Sequence, residues 1–165
     1  MNYLDYAATT PVNAEVLEVI TKEMASFGNP SSVYRIGREQ KQKIERVKKA
    51  ILSELQASPY DAIIFTSSGS EGNNLVFESI REHFAKEKGH IIVSAVEHPS
   101  VRKPAEFLEQ EGFDVTYLAP NKDGIVTVSE IEQALREDTR LVSIMTVNNE
   151  TGARFPIEEI AALLK

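Results

Sequence analysis

Three short segments carry the residue types that could do chemistry. The first is Phe65-Thr66-Ser67-Ser68-Gly69-Ser70-Glu71-Gly72-Asn73-Asn74, between an apolar run and the start of a helical pattern. Small residues let a backbone approach a ligand, and free amides at a helix start favour an anion. Gly69 and Ser70 would supply amides, and the Ser70 hydroxyl one more donor. The same residues also make an ordinary capped strand-to-helix turn. A dinucleotide fingerprint (GxGxxG) and a P-loop (Gly-Lys-Ser/Thr) are both absent here. The second segment is Glu97-His98-Pro99-Ser100, after the run HIIVS. An imidazole at the carboxyl end of a parallel strand lies where such sheets bind ligands. It could stack on a planar ring, or act as acid or base. It could equally be a loop histidine satisfied by backbone. The third is Val147-Asn148-Asn149-Glu150-Thr151-Gly152, after LVSIM. Two amides and a carboxylate there could orient a polar ligand, or simply make an Asn/Gly turn.

The elements that must position these loops alternate. Asn13 is a plausible N-cap, with Val16, Leu17, Ile20 and Met24 following at helical spacing. FGNPSS (27–32) reads as a loop. A long polar helix follows, with Ile44, Val47, Ile51 and Leu55 on one stripe and a solvated face opposite. AIIFT (62–66) reads as a buried strand. Leu75, Val76, Ile80 and Phe84 mark a helix, and HIIVS (90–94) a strand. A helix start follows at 97–100, but Pro104 predicts a kink or restart within it. Gly112 closes that helix, and DVTYL (114–118) is a strand. Residues 124–126 read as a minor strand. Thr127 with Glu130 resembles a capping box for a helix through Leu135. LVSIM (141–145) is the last strand, and Pro156 suits the first turn of a helix running to Leu164. This alternation predicts an α/β fold: a mainly parallel sheet in three α/β/α layers. In such a sheet all three loops open at one edge, a constellation suited to a phosphorylated, planar, polar ligand. LDYAATTP near the start follows neither period and reads as a separate arm over residues 1–12.

Composition narrows the classes. Of 165 residues, 42% are apolar and 26% charged, enough for a core and against global disorder. At this length roughly 70% of the unfolded chain's surface can be hidden. A net charge of −7, from 18 basic and 25 acidic residues, argues against nucleic acid as a partner. No cysteine is present, which excludes a disulfide scaffold, a thiolate metal site and an internal cysteine nucleophile. The imidazoles are those of His83, His90 and His98, and their spacing fits no zinc motif, so no metal site is expected. No apolar run reaches membrane length, and Met1 to Asp5 has no signal-peptide pattern. The expectation is a cytoplasmic protein without a membrane partner.

Together these residues resemble the N-terminal part of a cysteine desulfurase of the NifS/IscS kind, within the class V aminotransferases of fold type I. The matching segments are Tyr3 to Pro11 (YLDYAATTP), Gly28 to Ser32 (GNPSS), Phe65-Thr66-Ser67 with Ser70-Glu71 and Asn74, Glu97-His98, and Val147 to Gly152 (VNNETG). They keep the family's order and spacing over essentially the whole chain. The resemblance implies a pyridoxal-5′-phosphate enzyme that takes sulfur from L-cysteine, leaves alanine, and passes sulfur to an acceptor protein for iron–sulfur cluster or thio-cofactor assembly. It places Ser70 on the cofactor phosphate, with the Gly69 and Ser70 amides. It makes His98 the residue that stacks on the pyridine ring and helps in proton transfer. It puts Asn149 near the ring oxygen and the substrate carboxylate. Ala7, Ala8 and Thr9 would line the entrance, in an arm of residues 1–12. Residues 13–165 would be the first, incomplete half of the cofactor-binding large domain. Family members are homodimers.

Two local departures stand out. Tyr34 occupies a place where the family often has His, and Ser68-Gly69 stands where Gly-Ala is common. A larger difference is the family's later segments, with the Asp on the pyridinium nitrogen, the Schiff-base Lys and the persulfide Cys, which these 165 residues do not contain. The expectation is that this polypeptide alone is inactive and binds cofactor weakly, as a shortened chain or one half of a split enzyme. The alternatives are another class V enzyme, such as a selenocysteine lyase or an aminotransferase, or a non-catalytic remnant serving as a dimerisation or scaffold module.

A sheet missing some of its strands exposes an unpaired edge and apolar faces. The purified chain is therefore expected to self-associate. Light scattering checks this, and a clean, stable monomer would count against it.

Overall fold

The computed structural model describes residues 2–58 and 60–165, so Met1 of the expected arm lies outside the described residues. The chain divides into two units, Met1–Phe65 and Thr66–Lys165.

The first unit carries α1 (Ala14–Met24) and α2 (Arg35–Glu54). Asn13 caps α1 as expected, its side chain accepting the Glu15 amide at 2.8 Å. The loop after α1 is tied to α2 by polar contacts. The Lys43 ammonium meets Glu23 at 2.7 Å and Ser26 at 3.0 Å, and the Gln40 amide donates to Ser26 at 3.1 Å. Gly37 is the buried position of α2. A Cβ there would collide with the Asn29 carbonyl and with Ser32, so the GNPSS loop crosses the helix only over a glycine. Residues 62–66 are not a strand: Ile64 and Phe65 are exposed, and no ladder partner lies beside them among the described residues. An apolar run becomes a strand only when another strand takes its hydrogen bonds.

In the second unit, α3 (Gly69–His83) and α4 (Pro99–Gln110) share one sheet face, and α5 (Val128–Ala134) and α6 (Ile157–Leu163) share the other. The parallel strands β1 (His90–Ser94), β2 (Asp114–Leu118) and β3 (Thr139–Ser143) lie between them in the order β2-β1-β3. This is the expected α/β/α sandwich. Central β1 is buried along its whole length. Ile91 and Val93 pack with Phe77, Val101, Ala105, Leu108 and Phe113. Val126, Ile131, Phe155 and Ile160 form the second core, against Leu118 and Val142. Side chains of β3 alternate accordingly, Leu141 to the first core and Val142 to the second.

Three further sequence expectations are corrected. Pro104 sits inside a continuous α4. Its ring costs one backbone bond, which the stripe Val101, Pro104, Ala105 and Leu108 offsets by burial. Residues 124–126 form no strand; the Asn121 side chain instead gathers the Asp123 and Ile125 amides, at 2.8 and 3.3 Å, into a turn. The last strand is Thr139–Ser143, two residues earlier than LVSIM, because its ladder begins opposite His90. The Thr127–Glu130 capping box is present, and Gly112, at φ +94°, ends α4.

His90 is fully buried between two hydroxyls, Nδ1 at 2.9 Å from Thr139 Oγ1 and Nε2 at 2.8 Å from Thr116 Oγ1. It joins all three strands at the amino end of the sheet. Burial, helped by Arg136, pushes its pKa down. The unfolded chain then binds the proton more readily than the folded one. This group imposes no penalty above the ordinary imidazole pKa, about 6.5, and destabilises progressively as pH falls below it. Thermal unfolding followed by circular dichroism should show the midpoint falling between about pH 7 and pH 5.5. The same change should be smaller in His90→Gln. Equal slopes in the two proteins would remove His90 as the cause.

Candidate functional site

The chain leaves β1 for β2 on one side and returns to β3 on the other, so the strand order reverses at β1. Connections then depart to opposite faces, and a crevice opens between the carboxyl ends of β1 and β3. The loops following these strands hold Glu97-His98 and Val147 to Gly152.

Two buried side chains fasten the loops to each other. The Glu97 carboxylate accepts the Met145 amide at 2.6 Å. Burial drives its pKa up, and the Met145 bond works against that rise. Asn148 uses both ends of its amide. Its oxygen accepts the Glu150 and Thr151 amides at 2.9 Å each, and its nitrogen donates to the Val96 carbonyl at 3.2 Å. A bridge between Val147 and Arg154 closes the turn. Asn149, next along, is exposed and, among the described residues, its side chain bonds only the neighbouring Glu150 carboxylate, at 2.8 Å.

His98 caps α4, accepting the Ser100 amide on Nδ1 at 3.1 Å. The Ser100 hydroxyl lies 2.8 Å from the same nitrogen and receives the Asn73 amide of α3 at 2.9 Å. The ring itself is exposed.

At the start of α3, Ser68 is the N-cap and its side chain accepts the Glu71 amide at 3.2 Å. The Glu71 carboxylate turns back onto the Ser67 amide at 2.5 Å, and hydrogen bonding by the Ser67 side chain, then by its backbone, holds its pKa down. These caps leave the Gly69 and Ser70 amides and the Ser70 hydroxyl available, as the first turn of a helix must. Around Gly69 the space a side chain would fill is open. This donor set, neutral and at the positive end of a 15-residue helix, fits a phosphate group.

The second unit thus brings the predicted residues together in two adjoining cavities. One, of about 780 Å³, runs between α3 and α4 and includes Ser70, Asn74, His98 and Ser100. The other, of about 480 Å³, includes Asn73, Glu97, His98, Thr146 and Asn149. His98 belongs to both. Ala7, Ala8 and Thr9 lie in the first unit, in a turn where Asp5 accepts the Ala8 amide and the Tyr3 hydroxyl donates to the Thr9 carbonyl at 2.8 Å. Both cavities are built from the second unit alone. The sequence did not single out Glu97, Asn148, Asn73 or Ser100 as supports. Their only signal was membership of the same short segments. Among the described residues no group of His, Cys, Asp or Glu is placed to hold a metal, and no helix is long and apolar enough to cross a membrane.

Comparison with known proteins agrees with this geometry. The family described as aminotransferase class V matches residues 2–165. The cysteine desulfurase IscS of Dictyoglomus turgidum is 43% identical over 164 residues, covering 99% of this chain and 41% of that protein. A mitochondrial cysteine desulfurase of Eremothecium gossypii is 41% identical over 165 residues, covering 99% of this chain and 34% of that protein. Among solved structures, SspA in complex with cysteine superposes with a TM-score of 0.92 at 40% identity, over 99% of this chain and 47% of that one. The chain therefore spans about a third to just under half the length of these relatives. With the family matched over nearly every residue, and the start of α3 brought beside the loop that follows β1, the chain belongs to the class V aminotransferases.

Proposed function

We propose that this chain is the cofactor-gripping, N-terminal portion of a pyridoxal-5′-phosphate-dependent cysteine desulfurase. The observation that carries the reading is the convergence of Ser70, His98 and Asn149 on adjoining cavities of one unit. The named relatives, cysteine desulfurases, support the choice of reaction.

In this reading the Gly69 and Ser70 amides and the Ser70 hydroxyl hold the phosphate. The cofactor supplies the electron sink that such chemistry needs. His98 lies against the ring and handles a proton at its imidazole. Asn149 donates to the ring oxygen and to the carboxylate of L-cysteine. Ala7, Ala8 and Thr9 are assigned to the substrate entrance on the resemblance, with residues 1–12 as its arm and 13–165 as the first half of the cofactor-binding domain. The products are alanine and sulfur bound for an acceptor protein, in a cytoplasmic homodimer that feeds iron–sulfur cluster or thio-cofactor assembly. These 165 residues hold no thiol to carry that sulfur, so by themselves they release no alanine from L-cysteine.

Equilibrium dialysis against pyridoxal 5′-phosphate tests the phosphate grip. Ser70→Ala removes one hydrogen bond to a charged group, so the dissociation constant should rise about tenfold. Inorganic phosphate should compete with the cofactor for the native chain. An unchanged constant in Ser70→Ala would overturn the assignment. Steady alanine formation from L-cysteine by the 165-residue chain with added cofactor would overturn its dependence on further segments.

A further inference from the structure

We infer that Asn73 and Ser100 are positioning residues that hold the neutral form of His98 in the tautomer with its proton on Nε2. The use of that ring in the reaction rests on the function proposed above; the relay itself does not.

Hydrogen-bond direction carries the argument. The Ser100 backbone amide can only donate, and it points at His98 Nδ1 from 3.1 Å. Nδ1 must therefore present its lone pair, which leaves the ring proton on Nε2. The Ser100 hydroxyl, 2.8 Å from the same nitrogen, meets no hydrogen there and so donates its own. Its oxygen is then free to accept, and the Asn73 amide nitrogen supplies the hydrogen at 2.9 Å. Every donor in the series points one way: Asn73 to Ser100, Ser100 to His98. Asn73 is fixed on α3, one turn into a 15-residue helix, and Ser100 is in the first turn of α4. The packing of α3 on α4 through Phe77, Val101, Ala105 and Leu108 holds the two ends of the relay in register.

The consequence is chemical. An imidazole in this state offers an N–H through Nε2, which makes no hydrogen bond among the described residues. It cannot accept a proton at Nε2 while Nδ1 is occupied by two donors. His98 is thus set as a hydrogen-bond donor to an acceptor atom of the bound ligand, and its use as a base requires the relay to break. A sequence reading of His98 as acid or base could not distinguish these roles, because they are set by the capping geometry of the Ser100 amide and by a second support, Asn73, 25 residues away on another helix.

The test is ring nitrogen NMR of the chain labelled with ¹⁵N-histidine, at about pH 8, above the ordinary imidazole range. In the native chain Nδ1 of His98 should be the unprotonated nitrogen. Asn73→Asp reverses the relay, because a carboxylate accepts the Ser100 hydroxyl hydrogen and turns the Ser100 oxygen toward a proton on Nδ1. The Nδ1–H form should then gain about fivefold in population, the worth of one ordinary hydrogen bond. Ser100→Ala should shift the Nδ1 resonance, and Ser100→Thr should restore it. The buried His90 ring, held by Thr116 and Thr139, reports in each variant that the sheet is intact. A native His98 protonated on Nδ1, or a His98 spectrum unmoved by Asn73→Asp with His90 unchanged, would overturn the relay. A relay that responds as described, in a chain whose affinity for pyridoxal 5′-phosphate is unchanged by Ser70→Ala, would sink the proposed function and leave the relay standing.

Discussion

Everything at the carboxyl edge of the sheet depends on one buried carboxylate. Glu97 leaves the end of β1 and takes the Met145 amide just past the end of β3, at 2.6 Å. With 8% of its surface exposed, Glu97 is costly to desolvate in its charged form. A charge-assisted bond to a backbone donor repays part of that cost and is stronger in a dry setting than in water. The bond also answers a backbone need, because Met145 lies beyond the last ladder residue of β3 and its amide has no strand partner. Without Glu97 the two loops that carry His98 and Asn149 would be joined through Asn148 alone.

Topology explains why this tie is needed there. A parallel sheet closes its ladder with strand hydrogen bonds only as far as the strands run. At the reversal of strand order, neighbouring connections leave for opposite faces, so nothing in the ladder holds their first residues together. This gap is what makes a crevice, and it leaves loop backbone groups to be satisfied by side chains. Glu97 and Asn148 do so from opposite sides, the first reaching from β1's loop to Met145 and the second from β3's loop to Val96. The amino edge of the same sheet is finished differently. There His90 bonds to hydroxyls on both neighbouring strands.

Much of this was legible from residue order. The caps Asn13 and Thr127, the stop at Gly112, and the strands from His90 and Asp114 follow from local chemistry and came out as read. What failed had causes outside the local window. AIIFT has the composition of a strand but no neighbour to pair with among the described residues. Pro104 breaks a helix in isolation, yet α4 draws more from its buried stripe than one lost bond removes. The register of β3 is set by its partner β1, so its apolar letters marked it two residues late. His90 and His98 are the same residue type eight positions apart; only the three-dimensional neighbours make one a strand fastener and the other a surface group. Ser70, His98 and Asn149 were nameable because their segments follow short apolar runs, whereas the supports Asn73 and Ser100 are recognisable only once two helices are side by side.

The short segments share a further logic that ties sequence to site. In each, an anchor stands beside a group left free. Glu97 is buried and His98 exposed; Asn148 is buried and Asn149 exposed; Ser68 caps α3 while Ser70, two residues on, keeps its hydroxyl free. At Glu97-His98 the backbone is extended, so successive side chains point to opposite sides, one to the protein and the next to the crevice; at Asn148-Asn149 a turn separates the two. Paired motifs such as Glu-His and Asn-Asn are then what such a loop requires: one polar side chain to satisfy the backbone, one to meet the ligand. The anchor also limits the reach of its neighbour, because one planar peptide joins the two and only the dihedrals on either side of it are soft. The chemistry of this edge is accordingly a property of residue pairs, with the buried member fixing where the exposed member can act.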